Sequence, residues 1–288
     1  MRYPGSKAKL VKAIRGHFPA SAVSGPLFHD RAFEYIEPFV GAGAVFLALI
    51  ADPMCALSAI PERCKVRLND RDWSLVCWWR AIQAEHERLV EMIERFVPSV
   101  DAFRRFKEED GRTDIDPVRA GFQKLALHQM SYSGIGAMAG GPLGGFLQSG
   151  DAYTVDCRWN ADREIAHVLR VHRHMKRFAD CRITCGDFAP VIKSGSRSSF
   201  VYADPPYYKA GPALYKYAFS DDDHRRLARC LRAARARWLL SYDDHPFIRD
   251  LYSWATSQNV DIVYTSAVAR TKRRKNSELL IAPNAEAA

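Results

Sequence analysis

Several features are missing from this 288-residue chain, and each absence removes a class of function. No apolar run is long enough to span a bilayer, and no signal-peptide apolar region precedes a cleavage site. Seven cysteines (Cys55, Cys64, Cys77, Cys157, Cys181, Cys185, Cys230) are odd in number and irregularly spaced. No C-x-x-C pair occurs, so neither a zinc site nor a disulfide framework is expected, and Cys181 and Cys185 read as small residues flanking a strand. A reduced, cytoplasmic protein without metal follows. The G-x-G-x-x-G dinucleotide fingerprint is absent, so NAD is not the first choice of ligand. His224 and His245 have no acid or cysteine at ligand spacing and read as helix-start or packing residues. No carboxylate precedes Asp30, although five Lys/Arg do.

What is present is a globular composition, 48% hydrophobic and 26% charged, with a net charge of +9. That sign favours a polyanionic partner. Its placement says more than its size. Beyond the basic start there is a second set, Arg158, Arg163, Arg170, Arg173, Lys176 and Arg177, and a third, Arg270-Thr-Lys272-Arg273-Arg274-Lys275. Three such sets suggest a phosphate-contacting surface.

The chain is organised around Phe200-Val-Tyr-Ala-Asp204-Pro205-Pro206-Tyr207. The prolines fix their own φ and push the preceding residue to extended geometry, so the strand stops at Asp204. One carboxylate, the carbonyls around Pro205 and the Tyr207 ring then face the crevice beyond the strand's C-terminal end, where open α/β sheets bind ligands. Two acceptors suit the two hydrogens of an amino group, and the ring could stack on a base. A strand-ending turn with a capping Asp is the plainer reading of the same residues.

Earlier in the chain, Phe33-Glu-Tyr-Ile36 reads as a strand entering Glu37-Pro38-Phe39-Val-Gly41-Ala42-Gly43 and an apolar helix over 44–51. Glycines at a strand-to-helix turn let a ligand approach the backbone. The next strand, 65–70, ends in Asn69-Asp70, an acid placed to bind ribose hydroxyls. A long amphipathic helix is expected over 73–96, with Trp73, Trp78 and Trp79 in the core. From 97 to 178 the β/α alternation breaks into charged helices, a glycine-rich stretch over 134–146, Arg158-Trp-Asn160 and a basic helix, which reads as an inserted domain. Alternation resumes with strands over 182–188, 200–207 and 238–243. Two runs, 260–269 and 277–283, resemble an antiparallel hairpin. A mostly parallel sheet closed by that hairpin is the expected α/β architecture.

The Tyr3-Pro-Gly-Ser-Lys7 start, Glu37–Gly43, Leu68-Asn-Asp70, Asp204–Tyr207 and Ser277-Glu-Leu-Leu-Ile281, in this order, carry a resemblance to a known family. Together they resemble the Dam-like DNA adenine N6-methyltransferases of phages and prophages. The resemblance implies a Rossmann-like S-adenosylmethionine-dependent methyltransferase sheet with a reversed C-terminal hairpin. It makes residues 1–96 and 179–288 the catalytic domain and 97–178 a mainly helical target-recognition insert. It also implies S-adenosylmethionine as cofactor, held by Tyr3, Lys7, Pro38, Phe39, Gly41, Ala42, Gly43, Asp70, Asp187, Phe188 and Asp204. Asp204, Pro205, Pro206 and Tyr207 become the catalytic motif for an adenine flipped from duplex DNA. Arg158, Asn160, Lys272, Arg273, Arg274 and Lys275 become DNA contacts, and a monomer in a bacterial or phage-infected cell is the expected setting. Two rivals stand beside this. One is an amino-group methyltransferase acting on RNA or protein, which Asp204 disfavours because those relatives tend to carry Asn before Pro-Pro-Tyr. The other is a non-catalytic DNA-binding phage protein that has kept the shell.

Overall fold

Phe33–Glu37 is buried at every position, and so is Ser199–Ala203. Strands without a polar face belong in the middle of a sheet covered on both sides. A computed structural model, describing residues 11–18, 33–53, 55–150, 153–209, 211–263 and 275–284, places them there. Tyr3, Lys7, Lys272, Arg273 and Arg274 lie outside the described residues. The strands are β1 (Phe33–Glu37), β2 (Cys64–Asp70), β3 (Asp180–Cys185), β4 (Ser199–Ala203), β5 (Arg237–Asp243), β6 (Thr256–Val263) and β7 (Lys275–Ala282), the last opening on Lys275. Their order across the sheet is β3-β2-β1-β4-β5-β7-β6. The first five are parallel, while β7 runs antiparallel to both β5 and β6. The expected reversed hairpin is therefore present.

Alternate residues of each strand feed two different cores, as the two-residue period requires. Tyr35, Phe200, Tyr202 and Leu239 join one cluster, with Phe46, Trp79, Phe122 and Val171 from helices on that face. Ile36, Val201, Ala203 and Leu240 join the other, with Ile192, Leu227 and Ile248. Helices 100–109, 117–130 and 161–175, from the segment expected as an insert, supply the first cluster with Phe103, Phe106, Leu125 and Met175. Contact with helix 73–84 is close: a Cβ on Gly121 would fall 2.6 Å from the Trp78 backbone nitrogen.

The long helix expected over 73–96 is two helices, Trp73–Ala84 and His86–Arg95, parted where Glu85 turns to φ −129° and ψ 32°. Neither glycine nor proline marks the break, and the apolar stripe runs through it from Ile82 to Leu89. Packing makes the difference, since Trp78 and Trp79 meet the sheet-side core while His86 stacks on His172 with ring centroids 3.6 Å apart. Among the described residues no helix is long and apolar enough to cross a membrane.

The sheet order reverses between β1 and β4. Crevices at such switch points, beyond the strands' C-terminal ends, are where this class of sheet binds ligands.

Candidate active site

Three acids meet at that crevice because three neighbouring strands end in them: Glu37 on β1, Asp70 on β2 and Asp204 just after β4. All three line a cavity of about 420 Å³, together with the Gly41–Gly43 turn, Pro38, Phe39, Asp187, Phe188 and Pro206. Of the expected cofactor residues within the described chain, every one reaches this cavity. Tyr207 does not line it.

The glycine turn is fixed from below and from the side. Gly41 and Gly43 both take positive φ, 51° and 68°. The Trp79 indole donates to the Gly41 carbonyl at 2.9 Å, so this tryptophan, expected only as core, also props the turn. Gly41 N–H donates to Asp70 Oδ2 at 2.9 Å, and Val40 N–H to the Asn69 carbonyl at 2.8 Å. The Asn69 amide reaches the Pro38 and Gly186 carbonyls, joining the ends of β1 and β3 across β2. A Cβ on Gly43 would land on the Trp79 ring. Gly43→Ala is therefore expected to cost about 2–4 kcal/mol, from left-handed backbone strain plus overpacking of a buried ring. Chemical denaturation of the variant beside wild type measures this directly.

Asp70 accepts a second backbone bond from Asp72 N–H at 2.9 Å. Burial pushes its carboxyl up to about 6, more than the two N–H bonds and Lys124 can offset, and Asp72 adds to the rise. Burial also raises Glu37 well above the carboxylate range; the Tyr35 hydroxyl that donates to it at 2.9 Å opposes this, and Asp204 and Asp70 reinforce it. A chain of net charge +9 thus carries a cavity whose floor is acidic. Such a floor suits a small ligand bearing positive charge and hydroxyls.

Asp187 caps helix 188–193 by accepting from Ala189 N–H at 2.8 Å, and Arg226 pairs with the same carboxylate. Arg226 also lies over the Phe188 ring, 4.6 Å from its centre. Phe39, Phe188 and Phe219 form a cluster with ring centroids 5.4 to 5.7 Å apart, an apolar part of the cavity lining. Phe219 comes from a loop after the Pro-Pro-Tyr motif that adds Tyr215, Lys216 and Tyr217 to the lining. Sequence reasoning passed over these four. Their aromatic spacing, Tyr215-Lys-Tyr-Ala-Phe219, was the available signal.

The Asp204–Tyr207 motif is anchored by β5 and β7. The Tyr207 hydroxyl donates to Glu278 Oε2 at 3.0 Å, giving the Ser277–Ile281 motif a physical role. Asp243, at the end of β5, accepts from Tyr208 and Lys209 N–H at 3.0 and 2.8 Å and so fixes the loop's exit. His224 packs, and His245 caps helix 246–251, as expected.

Arg158 and Asn160 border a second cavity, with Gln129 and Glu164. Asn160 caps helix 161–175, its side-chain oxygen accepting from Arg163 N–H at 2.8 Å, and Arg158 donates to the Ser131 carbonyl at 3.3 Å. Arg163, Arg170, Arg173, Lys176 and Arg177 are exposed along or just beyond the helix. Among the described residues no group of three or more His, Cys, Asp or Glu side chains is placed to hold a metal.

The comparisons with known proteins agree with this geometry. The chain is 26% identical over 249 aligned positions to the type II methyltransferase M.MjaIII of Methanocaldococcus jannaschii, covering 81% of this chain and 78% of that protein. It is 21% identical to the DNA adenine methylase of Escherichia coli K12 over 97% of this chain and 93% of the relative. The DNA N-6-adenine-methyltransferase of Escherichia phage P1 is 24% identical over 75% of this chain but only 27% of its own length. The model of the D12 class N6 adenine-specific DNA methyltransferases matches residues 3–266. A match over nearly the whole length, on a switch-point cavity with the acid-Pro-Pro-Tyr motif at its edge, decides the matter: the chain belongs to the D12 class N6 adenine-specific DNA methyltransferases.

Proposed function

We propose that the methyl donor is S-adenosylmethionine and that the acceptor is the exocyclic amine of an adenine flipped out of duplex DNA. The observation that carries this reading is Asp204, held on the wall of a cavity whose other walls are an acid-tipped glycine turn and an aromatic cluster. S-adenosylmethionine, when bound, supplies a methyl group activated by its sulfonium charge. Asp70 would accept hydrogen bonds from the ribose hydroxyls, and Phe39, Phe188 and Phe219 would pack the adenine ring beside Asp187. The Gly41–Gly43 turn would let the donor pass close to the backbone. Tyr3 and Lys7 are assigned to the methionine part.

The amine of adenine is a poor nucleophile because its lone pair is delocalised into the ring. Accepting its two hydrogens at Asp204 and the Pro205 carbonyl would localise that lone pair. As the nitrogen took the methyl group, the sulfonium–methyl bond would break with its electron pair left on sulfur, the nitrogen would become acidic, and Asp204 would take the proton it releases. Preorganised acceptors meeting developing positive charge, with both reactants held in register, account for the acceleration. Tyr207 would stack on the extruded base, its ring fixed through Glu278. Residues 97–178 would recognise the target, with Arg158 and Asn160 on bases and backbone and the Lys272–Lys275 run on phosphates, and the enzyme would act as a monomer.

Labelled S-adenosylmethionine and mixed-sequence duplex DNA, followed by digestion to nucleosides, tests the reading. Label in N6-methyladenine supports it. Label only in RNA or protein acceptors, or donor binding with no transfer to any of them, would overturn it.

Asp70 gives a pH dependence whose sign is fixed. Its folded value of about 6 lies above the ordinary 3.8, so in the unliganded protein its contribution to stability declines as pH rises through the window between them. Donor binding through ribose hydroxyls needs the ionised carboxylate and runs the other way. Affinity is expected to fall about tenfold between pH 7 and pH 5. Calorimetric titrations at the two pH values should show that fall in wild type and a flat response in Asp70→Asn.

A further inference from the structure

Ser241 sits on β5 with no exposed surface, in a strand whose neighbours Leu239 and Leu240 are equally buried and apolar. A hydroxyl at such a position is costly unless its hydrogen bonds are made. Its Oγ donates to Asp204 Oδ1 at 2.7 Å and lies 2.9 Å from the hydroxyl of Tyr202, itself fully buried on the adjoining β4. A second acceptor, the Ala203 carbonyl, is further off at 3.4 Å. Counting protons sets the direction. Serine has one hydrogen and spends it on the carboxylate, so Tyr202 donates to Ser241 and Ser241 donates to Asp204. Both hydroxyls are satisfied by a two-bond chain that ends on the acid of the Asp-Pro-Pro-Tyr motif.

We propose that Ser241, backed by Tyr202, is a positioning residue of methyl transfer that fixes the Asp204 carboxylate for the adenine amine. The inference rests on the reading of Asp204 as the amine's acceptor. A carboxylate can rotate about its Cβ–Cγ bond, and a short bond from a buried, rigid strand removes that freedom. A hydrogen bond donated to a carboxylate is charge-assisted and favours its ionised form. Other groups act on Asp204: Glu37 from β1, Tyr202 from β4, Tyr242 from β5 and Tyr215 from the loop lining the cavity.

The test is a double-mutant cycle of Ser241→Ala and Asp204→Asn, read as single-turnover methyl transfer with saturating S-adenosylmethionine and duplex DNA. Ser241→Ala alone is expected to slow transfer about 10- to 100-fold, the worth of one hydrogen bond to a charged group. KM for DNA and donor should stay within about twofold, since neither is bound by the serine. The acid limb of the rate profile should move to higher pH, because the carboxylate loses a bond that favours ionisation. In the Asp204→Asn background the same serine change should alter the rate by less than about threefold. Tyr202→Phe should reproduce the loss in weaker form. Equal losses from Ser241→Ala in both backgrounds would overturn the proposal, as would a wild-type rate in Ser241→Ala beside an inactive Asp204→Asn. A near-wild-type Asp204→Asn would instead sink the reading of Asp204 itself. Should Ser241→Ala fail to fold, Ser241→Cys keeps the size with a weaker donor and carries the cycle with the same signs.

Discussion

Replacing Asp204 with alanine is expected to slow methyl transfer by about 10³-fold or more while the protein stays folded. The loss is large because two roles end together: one acceptor for the amine hydrogens disappears, and so does the group that takes the released proton. Stability should hold because Asp204 is only half-buried and its removal opens no core cavity. Asp204 is one of the groups that hold the buried Glu37 carboxyl high, and removing it eases that carboxyl's ionisation. Ser241 loses an acceptor but retains the Ala203 carbonyl within 3.4 Å and the Tyr202 hydroxyl at 2.9 Å. Sites that store electrostatic tension for chemistry commonly gain stability when emptied of it. The thermal midpoint should therefore match or exceed wild type, while labelled methyl in N6-methyladenine falls to the detection floor. A rate within tenfold of wild type would assign the acceptor role elsewhere.

The residues legible in the sequence were those whose role is local. The Asp204-Pro205-Pro206-Tyr207 run ends a strand because proline chemistry ends it, and Gly41 and Gly43 turn because nothing larger takes their φ. Asp70 and Asp204, acids at strand ends, could be read for the same reason, and Glu37 joins them because the strand order β2-β1-β4 brings the three ends together. The partners of these residues were not legible. Ser241 is 37 positions from Asp204, Glu278 is 71 from Tyr207, and Asn69 reaches 117 positions to Gly186. Periodicity tells which face of a strand is buried and says nothing of which strand lies alongside. The division at Glu85 was hidden for a related reason, since an unbroken apolar stripe is compatible with one helix or with two that meet different neighbours. Asn160 shows the opposite case, a residue read for its chemistry that the local structure also uses as a helix cap.

The largest loss of stability is expected at Lys124, far from the motifs. Its side chain is 5% exposed, on a helix buried around nearly its whole circumference. Its ammonium lies 2.6 Å from Asp72 and 3.0 Å from Asp110, two carboxylates nearly as deeply buried. Burial alone would favour the neutral amine, yet the two acids hold its affinity for a proton above that of an ordinary lysine. Lys216, from the loop lining the cavity, binds the Asp110 carbonyl at 2.7 Å, and the Asp72 N–H holds Asp70. One buried cation therefore ties helix 117–130, the start of helix 73–84 and the cavity acids together. Lys124→Met keeps the volume but takes the cation from buried Asp72 and leaves Asp110 only Lys216 at 3.4 Å, and is expected to cost about 3–5 kcal/mol. An exposed pair such as Arg95–Glu91, with side chains 77% and 58% exposed, should change stability by less than about 1 kcal/mol when broken. Urea denaturation distinguishes the two, and adding Asp110→Asn to Lys124→Met should restore part of the loss by removing one stranded charge. If the double variant were no more stable than the single, the cost would lie in packing around residue 124 rather than in the buried charges.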